Sequence, residues 1–283
     1  MLTALVVRTA GTNCDAELCR AFELAGARPS LVHVDRLVEE PSRVADADLI
    51  GFPGGFSHGD DVASGRILAV KLRERLYPAL RDAARRGVPM IGVCNGFQAL
   101  VQVGLLPGPA PGTDWPEDAP PKQTVALAHN AQARFVDRWV RVAPDPASPC
   151  VWTRSMADLW RAGERDRSLR DDALILPVAH GEGRFVAASE AVLASLRAHH
   201  QVALRYADNP NGSADDVAGI CDPTGRIFGL MPHPERYLEW TLHPWWTRLP
   251  ESMRQRSTPG LMLFRDAVEA ARTAPPPLAA AAR

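Results

Sequence analysis

A chain of 283 residues, 46% of them hydrophobic, is long enough for one large α/β domain with a substantial core. A formal net charge of −1, from 32 basic and 33 acidic residues, argues against a nucleic-acid binder, which needs a dense positive footprint. No apolar run has the length of a membrane span, and the first residues lack the charged start and cleavage site of a secretory leader. Cys14, Cys19, Cys94, Cys150 and Cys221 are odd in number, widely spread and unpaired in any CxxC pattern, which suggests a reducing, cytoplasmic compartment rather than a disulfide framework. The histidines show no ligand spacing, so no metal is expected.

Taken in order, Leu2–Val7 is apolar and suits a central parallel strand. Asn13 or Thr12 is placed to cap a helix running through Ala25, stopped by Gly26. Pro29–Val34 and Ala47–Phe52 read as the next strands, and this alternation predicts a doubly wound, mainly parallel sheet with helices on both faces. Ser64–Arg86 is helical, with a break near Pro78. Val88–Val93 is a further buried strand, Gln98–Gln102 a helix closed by Gly104, and Pro107–Pro121 a surface loop. Ala133–Val142 reads as a strand broken by Pro144–Pro149, and Val151–Asp172 as weakly helical. Strands follow at Ala173–Pro177, Phe185–Ala188, Gln201–Tyr206, Val217–Asp222 and Ile227–Met231. Trp240, Trp245 and Trp246 form an aromatic cluster whose default role is packing. Thr258–Arg272 is a final amphipathic helix, and Ala274–Arg283 a frayed tail, leaving 1–273 as a single domain.

Three stretches carry chemistry. In Gly92-Val-Cys94-Asn-Gly96 an apolar strand runs into a cysteine and then a helix, the sulfur version of a nucleophile elbow. Glycines are needed there because the turn is strained and leaves no room for Cβ atoms. A helix N-terminus beside the thiol favours thiolate. A buried structural cysteine is the competing reading. In Pro53-Gly54-Gly55, at the end of another strand, the Gly55 and Asn95 N–H groups are candidates for an oxyanion hole; an ordinary glycine turn competes. Strand ends of this kind are where ligands bind in open α/β sheets. In Met231-Pro-His233-Pro-Glu235 the prolines extend the chain, so that His233 and Glu235 face one way, a base with its orienting carboxylate. A rigid surface turn competes here. His58 reads as a surface loop residue or an interface one, while His180 and Glu182 either contact a ligand or partner or satisfy a glycine-punctuated turn.

Together these stretches resemble class I, triad-type glutamine amidotransferases, a flavodoxin-like fold. More narrowly they resemble the glutaminase subunits of phosphoribosylformylglycinamidine synthase, through Gly11-Thr-Asn-Cys-Asp15, Gly54-Gly-Phe-Ser-His-Gly-Asp60, Cys94-Asn-Gly-Phe-Gln98, Ala179-His-Gly-Glu-Gly183, Asn209-Pro-Asn-Gly-Ser213 and Pro232-His-Pro-Glu-Arg236. The resemblance implies Cys94 as nucleophile, His233 as general base and acid, and Glu235 as its orienter. It implies Gly54, Gly55 and Asn95 at the oxyanion hole and substrate, with Gln98, His58, His180 and Glu182 as candidates for substrate or interface contact. It also implies L-glutamine as substrate, a large FGAM synthetase subunit and a small bridging subunit as partners, and ATP and magnesium on the synthetase. The chain itself carries no GxxxxGK[ST] or GxGxxG phosphate loop, so no cofactor is expected on it. Another amidotransferase on this scaffold, or a non-catalytic binding module, are the alternatives. The Arg- and Trp-rich stretches Val151–Asp172 and Tyr237–Ser257 depart from the family pattern by their length.

Overall fold

The computed structural model describes residues 1–273, so the tail expected at Ala274–Arg283 lies outside the described residues. A nine-stranded sheet forms the centre, in the order β2-β1-β3-β4-β11-β10-β9-β6-β7. Its strands are β1 (Thr3–Arg8), β2 (Arg28–His33), β3 (Leu49–Phe52), β4 (Met90–Val93), β6 (Val136–Pro144), β7 (Ile175–His180), β9 (Leu204–Tyr206), β10 (Val217–Cys221) and β11 (Ile227–Leu230). A separate antiparallel pair joins β5 (Val125–Ala128) to β8 (Arg184–Ala187). From β2 to β11 neighbouring strands run parallel, and from β11 to β7 they run antiparallel. The sheet is thus mixed, and its parallel half is the doubly wound part.

The helices are α1 (Asp15–Leu24), α2 (Val34–Glu39), α3 (Ser42–Ala45), α4 (Arg66–Lys71), α5 (Tyr77–Arg85), α6 (Asn95–Val103), α7 (Arg154–Ala162), α8 (Glu190–Ala198), α9 (Glu251–Arg254) and α10 (Pro259–Arg272). They cover both faces, as side-chain alternation along a strand requires. In β3, a Cβ on Gly51 would strike Leu18 and Phe22 of α1, whereas the next residue, Phe52, meets Gly96 of α6. The α1 face continues through Phe22 stacked edge-on against Phe264 of α10, ring centroids 5.4 Å apart, and through Phe264 against the buried Trp152.

Several local expectations change for physical reasons. Neither Thr12 nor Asn13 caps α1; its N-cap is Cys14, without a side-chain bond. Thr12 is instead bridged to Gly55, which leaves Asp15 and Glu17 to complement the helix dipole. The long helical stretch divides into α4 and α5 through a wide π turn at Leu72–Leu76, because Pro78 has no N–H to continue the α ladder. The Pro-rich loop is pinned rather than loose: Trp115 is buried, and Arg85 pairs with Asp114 at 2.8 Å. β5 and α8 were not expected. The signal for α8 was Ser189, whose hydroxyl accepts the Val192 N–H. Thr258 caps α10 in the same way, with Pro259 in the first turn.

Both Trp-rich stretches mostly pack. Tyr237 is buried against Trp139 of β6 and against Trp240, at 5.1 and 5.8 Å between centroids. Trp245 and Trp246 remain on the surface, 39% and 36% exposed.

Candidate active site

The carboxyl ends of β1, β3, β4 and β11 lie side by side, since Phe52 is level with Gly92 and Val93 with Leu230. Cys94 leaves β4 at this edge and starts α6. Its own backbone carries the strain, at φ +51° and ψ −105°, outside the regions a side chain favours. Gly92 and Gly96 are not at positive φ, so strain does not explain them. Space does. A Cβ on Gly96 would lie 2.0 Å from the Phe52 carbonyl oxygen, and one on Gly92 would lie 2.7 Å from the Gly96 carbonyl carbon. The glycines let α6 rest directly on β3 and β4, and that contact sets the elbow.

His233 and Glu235 follow β11. The residues after His233 turn into a short 3-10 turn, Pro234–Arg236, so it is this turn rather than an extended chain that brings the two side chains together. His233 Nδ1 lies 2.7 Å from Glu235 Oε1, and both side chains are buried. The His233 N–H is tied to the Pro177 carbonyl of β7 at 2.8 Å. Burial alone would lower the imidazole pKa. The Glu235 charge, with the Cys14 and Cys94 thiols nearby, outweighs burial and raises it well above the ordinary 6.5. With Nδ1 engaged by Glu235, the other nitrogen, Nε2, is buried and has no hydrogen-bond partner among the described residues. Cys94 and His233 line the same small cavity without a formed hydrogen bond, a looseness common before substrate binds.

The Gly54-Gly55 loop closes on this pair. A Cβ on Gly54 would come within 2.7 Å of His233 Cε1 and 3.3 Å of Cys14 Sγ. Gly55 sits at φ +139°, with Asn13 and Thr12 pressed against it. Neither the Gly55 nor the Asn95 N–H has an acceptor among the described residues.

A chain of amides binds three loops together. Asn95 Oδ1 accepts the Ser57 N–H at 3.2 Å, and Asn95 Nδ2 donates to Asp60 and to Gln98 Oε1, both at 3.0 Å. Gln98 Nε2 then donates to the Glu182 carbonyl at 2.6 Å. Gln98 therefore holds the His180–Gly183 turn against the elbow. His180 and Glu182 both line the cavity, whereas His58 does not; its ring is 2.9 Å from the Thr9 hydroxyl and steadies the loop.

Sequence reasoning missed Cys14 and Arg236. Arg236 donates to Cys14 Sγ at 3.0 Å, and that sulfur is 4.0 Å from His233 Nδ1. Both lie inside stretches that carry the family resemblance, which was the available signal. Cys14, His233 and Glu235 also put metal-ligand atoms within 4.8 Å of one another, but those atoms are engaged with each other and with Arg236.

The cavity holds about 70 Å³, with the exposed Phe56 and Phe135 on its lining. That is far below the ~300 Å³ at which small-molecule pockets usually begin. A larger cavity of about 820 Å³ lies between α5, the Pro-rich loop and the Asp222–Thr224 turn, but neither Cys nor His lines it. Chemistry, not size, locates the site: a thiol at a helix N-terminus, a carboxylate-bound imidazole and two open N–H groups can together perform acyl transfer.

Comparison with known proteins agrees. A family model described as the CobB/CobQ-like glutamine amidotransferase domain matches residues 2–269. Phosphoribosylformylglycinamidine synthase subunit PurQ of Dehalococcoides mccartyi is 40% identical over 95% of this chain and 97% of its own length. The subunit of the same name from Rubrobacter xylanophilus is 40% identical over 82% of this chain and 87% of its own. Among solved structures, a chain in the structure of PurLQS from Thermotoga maritima superposes with a TM-score of 0.66 at 29% identity, covering 95% of this chain and 98% of that one. From its elbow to its fold, this chain belongs to the CobB/CobQ-like glutamine amidotransferase family.

Proposed function

We propose that the chain is the glutaminase subunit of a phosphoribosylformylglycinamidine synthase. It hydrolyses L-glutamine and passes the ammonia to a synthetase subunit that converts FGAR and ATP to FGAM in purine biosynthesis. One observation carries the reading: Cys94, strained at the elbow, lines the same small cavity as His233, whose ring is held by the buried Glu235. The PurQ relatives, matched over nearly their whole length, supply the acceptor reaction.

In this mechanism His233 holds the proton of the Cys94 thiol, and the resulting thiolate attacks the glutamine carboxamide. The Gly55 and Asn95 N–H groups hold the resulting oxyanion, worth about 10²–10³ in rate for each donor. His233, charged because Glu235 stands behind it, protonates the departing ammonia. Water deprotonated by the now neutral His233 then cleaves the γ-glutamyl thioester, releasing glutamate and restoring the thiolate beside a recharged His233. Glu235 orients the ring and does not itself react. Gly54 makes room for the imidazole.

The partners are a large synthetase subunit and a small bridging subunit. The synthetase carries ATP and magnesium, and no cofactor is needed on this chain. The site of action is the cytoplasm; no helix among the described residues is long and apolar enough to cross a membrane. The narrow cavity, with exposed Phe56 and Phe135 on its lining, supports low glutaminase activity in the free chain until the synthetase docks and widens it.

The test is glutamate release by the chain alone and with its synthetase subunits, FGAR and ATP, beside Cys94→Ala. The expected result is activity that rises in the complex and falls by ~10⁴-fold or more in the variant. Turnover indifferent to Cys94→Ala refutes the mechanism. An assembled complex that never releases glutamate refutes the glutaminase reading.

A further inference from the structure

Among the buried groups of the cavity that the mechanism above leaves unused is an imidazole. His180, at the end of β7, is 3% exposed and lines the cavity with Cys94 and His233. Its ring is locked by Asn130. The Asn130 Nδ2 group donates to the Arg134 and His180 carbonyls, both at 2.8 Å, so both of its hydrogens are spent and the amide cannot be flipped. Asn130 Oδ1 is then the acceptor, and it takes the Gly183 N–H at 3.2 Å. His180 Nδ1 lies 3.1 Å from the same oxygen and must donate to it. Gly183 permits this packing, because a Cβ there would fall 2.3 Å from His180 Nδ1.

The proton is therefore on Nδ1, and Nε2 presents a bare lone pair. Nε2 is buried and has no partner among the described residues. Burial and the adjacent His233 charge push His180 down to about 4, so the ring stays neutral when His233 is charged. A buried acceptor without a donor is costly and calls for one. The neighbouring Ala179 carbonyl is 3.9 Å from Cys94 Sγ, which puts this part of β7 at the reacting end of the site.

Resting on the glutaminase reading, we infer that His180 Nε2 accepts a hydrogen bond from the carboxamide NH₂ of the substrate and so lets the site tell an amide from an acid. Glutamine brings two N–H donors to this position. Glutamate brings only carboxylate oxygens, which meet the lone pair unfavourably. The same contact that selects the substrate thus helps expel the acid product. His233 handles the proton, and His180 handles the identity of the group that leaves.

The test uses the assembled synthase. His180→Asn keeps a side-chain N–H for Asn130 and deletes Nε2; His180→Gln puts an amide oxygen back near the Nε2 position. The expected result for His180→Asn is a kcat/KM for glutamine lower by about 5- to 150-fold, the range for an unmatched buried polar contact. Inhibition by glutamate should be unchanged or tighter, with part of the glutamine activity restored in His180→Gln. Alkylation of Cys94 by a chloromethyl ketone analogue of glutamine, which has no amide N–H, should keep its wild-type rate in both variants. Wild-type kcat/KM in His180→Asn overturns the inference. So does an equal loss for glutamine, glutamate and the ketone, which would make His180 merely structural. A wild-type complex that releases no glutamate overturns the glutaminase reading and this inference with it.

Discussion

The parallel strands β3, β4 and β11 deliver reactive groups at their carboxyl ends: the Gly54-Gly55 loop, Cys94, and His233 with Glu235. The antiparallel strand β7 delivers mainly backbone. Its Pro177 carbonyl anchors His233, its Ala179 carbonyl faces Cys94, and His180 is its one side chain with chemistry in the cavity. In the proposed mechanism one half of the sheet supplies the nucleophile and its base, and the other encloses them and reads the substrate. The Trp-rich stretch behind β6 packs against that second half and stays away from the chemistry.

Substitutions can break this division, beginning with the largest effect. Glu235→Gln should lower kcat by roughly 10²–10⁴-fold with the fold intact, as for other triads that lose their orienting charge. Without that charge, burial dominates and His233 should fall below its ordinary value, which NMR titration of the ring would register. The sign for stability follows. A raised imidazole stabilises the native state fully below pH 6.5, and that contribution fades as pH rises through the raised value. The difference in Tm between wild type and Glu235→Gln should shrink over that window.

Gly96→Ala comes next. Its Cβ would collide with backbone at Phe52, so a loss of about 1–3 kcal/mol or more is expected in urea unfolding. Gly54→Ala should be of a different kind: its Cβ meets side chains, the Glu235-bound His233 ring and Cys14 Sγ, rather than backbone, so kcat falls about tenfold or more as the ring is displaced while the loss in Tm is smaller than for Gly96→Ala. Trp246→Ala, on the exposed stretch, should shift stability by less than about 0.5 kcal/mol and leave basal turnover unchanged. A large catalytic effect at Trp246 would erase the contrast between the two regions.

The same contrast explains what could be read from the residues alone. The strands and the elbow of the parallel half were legible because they are coded locally, whereas the start of α1 and the short helices α2 and α3 were not. Gly92–Gly96 announces its elbow, and Thr258-Pro259 announces α10. The strands of the antiparallel half were legible as runs, but their partners were not, because β6 meets β7 and β9 only through the tertiary fold. Short β5 acquires its identity only from β8, about sixty residues on. Within the site, His233 and Glu235 were found by their motif, although the turn that joins them was not. Cys14 and Arg236 act through a contact spanning 222 residues, which no local pattern encodes. His180 stood undecided between a turn residue and a site residue until Asn130 fixed its ring.

The most direct measurement of the central claim is to find the covalent intermediate. The assembled complex would be acid-quenched during glutamine turnover, digested and analysed by mass spectrometry. The account predicts a γ-glutamyl adduct on the peptide holding Cys94, absent in Cys94→Ala and accumulating when deacylation is slowed. An adduct on the neighbouring Cys14 instead, or steady turnover in Cys94→Ala, would contradict it.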